Sequence, residues 1–201
     1  ARYEVYALCV LGVGLVHLLQ SELRHLLTSR TRALILCVGL CLLGASLGPY
    51  VFATTPQGAR NVDRQQHQMH RLVAECWRMP VAVNDLGWVS FRNDHYVLDL
   101  WGLGSETARK ARAASEPGWM KALADANAVD LAMIYPQWFE GELPAEWVKL
   151  GEIGFTDRHV TTYAPMTTVY ATRPGAEEDI RECMRRISDS APEGVQVTIL
   201  R

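Results

Sequence analysis

Two carboxylates and a glycine-rich turn are the residues best suited to chemistry in this chain. They share the segment VAVNDLGWVSFRNDHYVLDLWGLGS, residues 81–105. Asp85 follows the apolar run 81–83, and Asp99 lies inside the apolar run 96–100. Carboxylates at the ends of two strands suit general acid–base work or a divalent cation. For Asp85, set between Asn84 and Leu86-Gly87, a plain turn is the competing reading. Asp99 sits among apolar residues, where an unpaired carboxylate is costly; it either pairs with an arginine, caps backbone amides or meets a ligand. Gly102-Leu-Gly104-Ser105 resembles the opening of a dinucleotide-binding fingerprint without its last glycine. Such a turn either holds an anion at a helix N-terminus or simply joins strand to helix. Trp88 and Trp101 flank the two carboxylates, and aromatic faces stack on sugar rings. The candidate ligand-binding set is therefore Asn84, Asp85, Trp88, Asp99, Trp101, Gly102, Gly104 and Ser105.

Other constellations are weaker. His67 and His70 stand at i and i+3 with no third ligand nearby, so no metal or other cofactor is expected. H-E-x-x-H, C-x-x-C and Walker patterns are absent. The chain carries no self-sufficient catalytic signature, and its catalytic residues stay unknown.

The elements that must position these residues follow from periodicity. Met69, Leu72, Val73 and Cys76 make one apolar face of a helix over 65–78, which Pro80 ends. Strands are expected at 81–84 and 96–100, then a helix after Ser105, a good N-cap with Glu106 at the positive end of the dipole. Further strands fall at 130–135, 147–153, 167–172 and 195–200, with a helix at 176–188. Strands alternating with helices give an α/β domain, and two strand-like runs with no strong helix between them make its open sheet mixed. Cys76 and Cys183 would pair if their helices touch, which spacing leaves open.

Charge divides the chain. Residues 1–53 carry only Arg2, Glu4, Glu22, Arg24, Arg30 and Arg32, whereas 16 basic and 20 acidic residues follow, a balance of −4. An acidic remainder without a basic stripe argues against a nucleic-acid partner. The stretch 33–53 has no charge, and about 20 apolar residues cross the hydrocarbon layer as a helix. The shorter run 3–20, with Tyr3 and Tyr6 as interfacial aromatics and His17 near its end, is expected to span as well. Gly39, Gly44 and Gly48 would let another helix approach. Arg24, Arg30 and Arg32 put the connecting loop in the cytoplasm. The expectation is thus two N-terminal transmembrane helices in the lipid bilayer (domain 1–53), followed by an extracytoplasmic α/β domain (54–201). The first residues, Ala-Arg-Tyr-Glu, suggest a piece of a longer polypeptide.

Several local patterns occur together: Arg2-Tyr-Glu-x-Tyr6, Thr55-Pro-Gln-Gly-x-x-Asn61, Gln65-Gln-His-Gln68, Val81-Ala-Val-Asn-Asp-Leu-Gly87 and Leu98-Asp-Leu-Trp-Gly-Leu-Gly104. They resemble the C-terminal part of bacterial multi-spanning glycosyltransferases of the GT-C class, similar to the protein-mannosyltransferase and arabinofuranosyltransferase types. The resemblance covers the first half of the chain and extends to the rest by layout. It implies a polyprenyl-phosphate sugar as donor, an envelope glycan or protein as acceptor, and the remaining transmembrane helices of a longer chain as neighbours. It also implies a place in the bacterial cytoplasmic membrane with the soluble domain outside. In that class the catalytic acidic residue lies in the first external loop, for which this chain has no counterpart. The implied role is an accessory module that binds or positions acceptor or lipid-linked donor. The alternative is a stand-alone, two-span binding or scaffold protein without catalysis.

Overall fold

The computed structural model describes the backbone of residues 2–201, with side chains throughout except at 2–9, 25–27, 43–44 and 46–48. The chain divides into two compact units, Ala1–Ala53 and Thr54–Arg201.

The first unit contains α1 (Arg2–Leu18), α2 (Gln20–Thr28) and most of α3 (Arg30–Val62). Among the described residues, no helix is long and apolar enough to cross a membrane, which corrects the expectation of transmembrane helices at 3–20 and 33–53. With 17 residues, α1 reaches only about 25 Å, short of the ~30 Å hydrocarbon layer. The 33 residues of α3 do not form a separate apolar rod. The same helix begins with Arg30 and Arg32 and runs on through Thr54, Thr55, Gln57, Arg60 and Asn61. The loop expected between two spans is largely the helix α2. Cys37 and Cys41 are free and exposed. Tyr3, Tyr6, Cys9, Gly44 and Gly48 lie outside the described side chains.

The second unit is an α/β domain on one mixed six-stranded sheet. Its helical entry departs from the 3.6-residue period. A π-helical turn at Asp63–His67, the short α4 (Gln68–Arg71) and a second π-helical turn at Leu72–Trp77 succeed one another, and Arg78 ends the run in the left-handed region. Met69, Leu72, Val73 and Trp77 are buried by it. The strands are β1 (Val81–Val83), β2 (Val97–Asp99), β3 (Leu131–Ile134), β4 (Val148–Phe155), β5 (Met166–Ala171) and β6 (Val195–Ile199). They lie in the order β2-β1-β3-β5-β4-β6. β1 pairs in parallel with both β2 and β3, and every other pairing is antiparallel. Between the strands come α5 (Gly87–Ser90), α6 (Glu106–Ala113), α7 (Trp119–Ala126) and α8 (Glu177–Asp189).

Each face of the sheet has its own apolar layer. On one, Leu72, Val73 and Trp77 pack with Val89 of α5 and Ile180, Met184 and Ile187 of α8. On the other, Ala108 and Ala111 of α6 and Trp119 and Met120 of α7 pack with Leu98, Ile134 and Phe139. The first layer is also covalently fastened: Cys76 and Cys183 form a disulfide between the second π-helical turn and α8, with Cα atoms 5.6 Å apart.

Candidate functional site

The parallel half of the sheet has strand order 2-1-3, and its crossovers use opposite faces. The link from β1 to β2 runs through α5, whose Val89 joins the first layer; the link from β2 to β3 runs through α6 and α7, which build the second. After β3 the chain enters a 3-10 turn at Pro136–Phe139, also on the second face. The chain therefore leaves the carboxyl ends of β1 and β3 in opposite directions. In open α/β sheets, that divergence opens a crevice between neighbouring strands, the usual place for a ligand.

Polar and aromatic groups meet at this crevice. Asn84, just after β1, is 2% exposed and its Oδ1 accepts from the Tyr135 backbone amide at 2.9 Å, tying the ends of β1 and β3 together. That bond fixes the amide's orientation, and its buried Nδ2 is left without a hydrogen-bond partner. Leaving such a group unmet costs on the order of 1–3 kcal/mol. Asp85 receives a hydrogen bond from Gln66 Nε2 at 2.5 Å. The Tyr135 hydroxyl donates to Gln65 Oε1 at 2.6 Å, and Gln65 Nε2 donates to the Ala164 carbonyl at 2.8 Å. Burial, and then the negative charge of Asp85, push the Tyr135 hydroxyl well above its ordinary pKa. It is a hydrogen-bond donor and not a base.

The aromatic part is continuous. The Trp101 and Trp138 rings lie 4.4 Å apart, Trp138 and Tyr163 5.1 Å, and Tyr135 and Tyr163 5.4 Å. The Arg112 guanidinium sits 3.5 Å from the Trp101 ring centre. Tyr163 is more than half exposed and Trp138 partly so, which leaves aromatic surface open beside the polar groups.

The glutamine-rich helical entry explains how the far wall is held. Gln57 and Asn61 donate to the Arg158 carbonyl at 3.0 and 3.1 Å, and Asn61 Oδ1 accepts from the Val160 amide at 2.8 Å. Gln65, one turn on, takes the Ala164 carbonyl. Residues at i, i+4 and i+8 of one helical face thus clamp the loop that carries Tyr163.

Asp99 belongs to a different arrangement. It is 2% exposed, and its two oxygens accept from the amides of Trp101 (2.9 Å) and Gly104 (2.6 Å). The amides that an incoming anion would need are occupied by the chain's own carboxylate. Gly102 has φ +89°, and a Cβ there would lie 2.7 Å from the Arg109 Cα. Ser105 caps α6 by accepting from the Ala108 amide at 3.2 Å. Gly102, Gly104 and Ser105 therefore build a strand-to-helix turn.

Trp88 sits on α5, 40% exposed, against His67 (centroids 5.1 Å) and Phe91 (5.5 Å). His67 Nδ1 pairs with Asp63 at 2.8 Å. Among the described residues, no group of histidine, cysteine or acidic side chains could hold a metal ion. Tyr135, Trp138, Tyr163, Gln65 and Gln66 were not among the sequence candidates. The signal for Tyr135 was Pro136, which closes the run 131–135 and so puts that tyrosine at a strand end.

A family model described as "Domain of unknown function (DUF8728)" matches residues 60–170, more than half of the chain, and the chain belongs to that family. The matched span holds Gln65, Gln66, Asn84, Asp85, Tyr135, Trp138 and Tyr163, and it stops before Cys183. No curated protein and no solved structure matches the chain.

Proposed function

We propose that residues 54–201 form an extracytoplasmic carbohydrate-binding module of a polyprenyl-phosphate-sugar-dependent glycosyltransferase, positioning the acceptor glycan or the sugar of the lipid-linked donor. The observation that carries the reading is the crevice between β1 and β3. There a buried amide without a partner (Asn84 Nδ2) and a carboxylate (Asp85) stand beside the partly exposed Trp138 and Tyr163 rings. A sugar presents hydroxyls at its edge and an apolar face of C–H groups. Amide, carboxylate and aromatic ring are the groups that meet those two surfaces. The Cys76–Cys183 disulfide supports an oxidising compartment, since such bonds persist outside the cytosol. The resemblance of the chain's local patterns to GT-C-class enzymes is what suggests the link to glycosyl transfer. The module binds and orients; the bond-making residues belong elsewhere in that machine.

The test is calorimetric titration of the whole chain with mannose-, arabinofuranose- and glucose-containing oligosaccharides. We expect saturable binding of at least one, weakened tenfold or more by Trp138→Ala, with circular dichroism confirming the fold of the variant. No binding to any of them, or binding indifferent to Trp138→Ala, would sink the reading.

A further inference from the structure

At the opposite, amino-terminal end of β1 and β2 lies a second concavity, an open pocket of about 300 Å³ lined by Ala74, Arg78, Arg92, Asn93, Asp94 and His95. It is formed where the second π-helical turn runs out and where the link into β2 returns; the Val81 amide donates to the Tyr96 carbonyl there at 3.1 Å.

Seven of the thirteen arginines at 54–201 form ion pairs, among them Arg64 with Asp157, Arg71 with Glu75, Arg173 with Asp130 and Arg185 with Glu178. Arg78 and Arg92 are two of the other six, and both line this pocket. Among the described residues neither forms an ion pair, although Asp94 lines the same pocket. Both hold left-handed backbone, φ 49° and 48°. The Arg92 guanidinium lies 5.3 Å from the Phe91 ring centre, a contact that steadies the cation without using its N–H donors. Asn93 is fixed as well: its Nδ2 donates to the Val89 carbonyl at 3.1 Å, and its Oδ1 accepts from the His95 amide at 3.0 Å. Next to the pocket residues along the chain stand Met79, Phe91 and Tyr96, each between 40% and 51% exposed.

We infer that this pocket binds a phosphate group, with Arg78 and Arg92 as its two forks and His95 beside them. Arginine's planar fork matches phosphate oxygens, and two unpaired forks in one concavity leave several charge-assisted donors to be met. Asp94 opposes the anion and sets a ceiling on affinity, so the site is tuned to release its ligand. The exposed Met79, Phe91 and Tyr96 suit a phosphate carried on an amphipathic molecule. The same donors would accept a free phosphate. The site lies at the far end of the strands from the crevice and does not depend on the carbohydrate reading.

The whole chain is titrated with inorganic pyrophosphate and, separately, sedimented with phosphatidylcholine vesicles with and without phosphatidylglycerol. Arg78→Ala/Arg92→Ala should weaken binding at least tenfold. Asp94→Asn should strengthen it about two- to fivefold by removing the opposing charge, a gain that misfolding cannot imitate. This pattern with pyrophosphate establishes the site for a phosphate in solution. The same pattern only with phosphatidylglycerol vesicles establishes it for a lipid headgroup. Absence of binding in both arms, or Asp94→Asn binding no better than the unsubstituted chain, overturns the inference.

Discussion

The ends of β1 and β2 look alike as sequence: a short apolar run, a carboxylate, then glycine within a few residues. In the fold they differ in what the carboxylate meets. After β2, Asp99 is buried and both its oxygens are taken by backbone amides of its own turn. After β1, Asp85 is half-buried and held by a side chain from another element, Gln66, while its neighbour Asn84 keeps a buried amide nitrogen without a partner. The first end spends its polar groups on itself. The second leaves some for something else. A carboxylate at a strand end is therefore informative only when its partners are known, and an internally satisfied one is a structural part.

The contrast can be broken by substitution. The largest effect is expected at Asp99. Asp99→Ala would remove the charged acceptor of two backbone hydrogen bonds and should destabilise the domain by about 3 kcal/mol, measured by urea unfolding. Asp99→Asn retains one acceptor and should cost roughly half of that. An intermediate effect is expected at Tyr135. Tyr135→Phe removes the hydroxyl bond to Gln65 and should cost about 1 kcal/mol near neutral pH. Because the folded-state pKa of Tyr135 is raised, its contribution is intact below the ordinary tyrosine value near 10 and is lost as pH climbs above it. The stability gap between the unsubstituted chain and Tyr135→Phe should accordingly narrow in alkali. The smallest stability effect belongs to Asp85→Asn, within about 1 kcal/mol, yet oligosaccharide affinity should fall tenfold or more. If Asp85→Asn unfolds the domain as readily as Asp99→Asn does, the two strand ends are equivalent and the comparison fails.

Much of the α/β domain was legible in the sequence. The period-2 runs and the Ser105 cap mark elements that exist because local pattern and tertiary packing agree. The i, i+3, i+4, i+7 spacing of Met69, Leu72, Val73 and Cys76 marked the buried helical face, though not the π-helical turns on either side of Gln68–Arg71. Hydrophobic spacing is too coarse to register one extra residue per turn. The expectation for α3 failed for a related reason. A charge-free stretch was read as an element of its own, whereas the helix continues well beyond it into polar residues at both ends. At the site, Asn84 and Asp85 could be picked out because they end a strand. Gln65, Gln66 and Tyr163 could not, because their part in the crevice arises from strand order and from a loop about a hundred residues away along the chain. Which strand ends are neighbours is a long-range fact with no local signature.

The link between Cys76 and Cys183 also makes part of the polypeptide a closed ring. The bridge spans 107 positions, and β1 through β5 all lie inside it, with β6 outside. A single backbone cut within the ring leaves both pieces tethered, so a protease reaching one of its loops does not set a fragment adrift. Tension applied at residues 54 and 201 runs along the two tails and across the sulfur bridge. Only 54–76 and 183–201 can be drawn out, and the parallel strands that frame the crevice stay off the line of force.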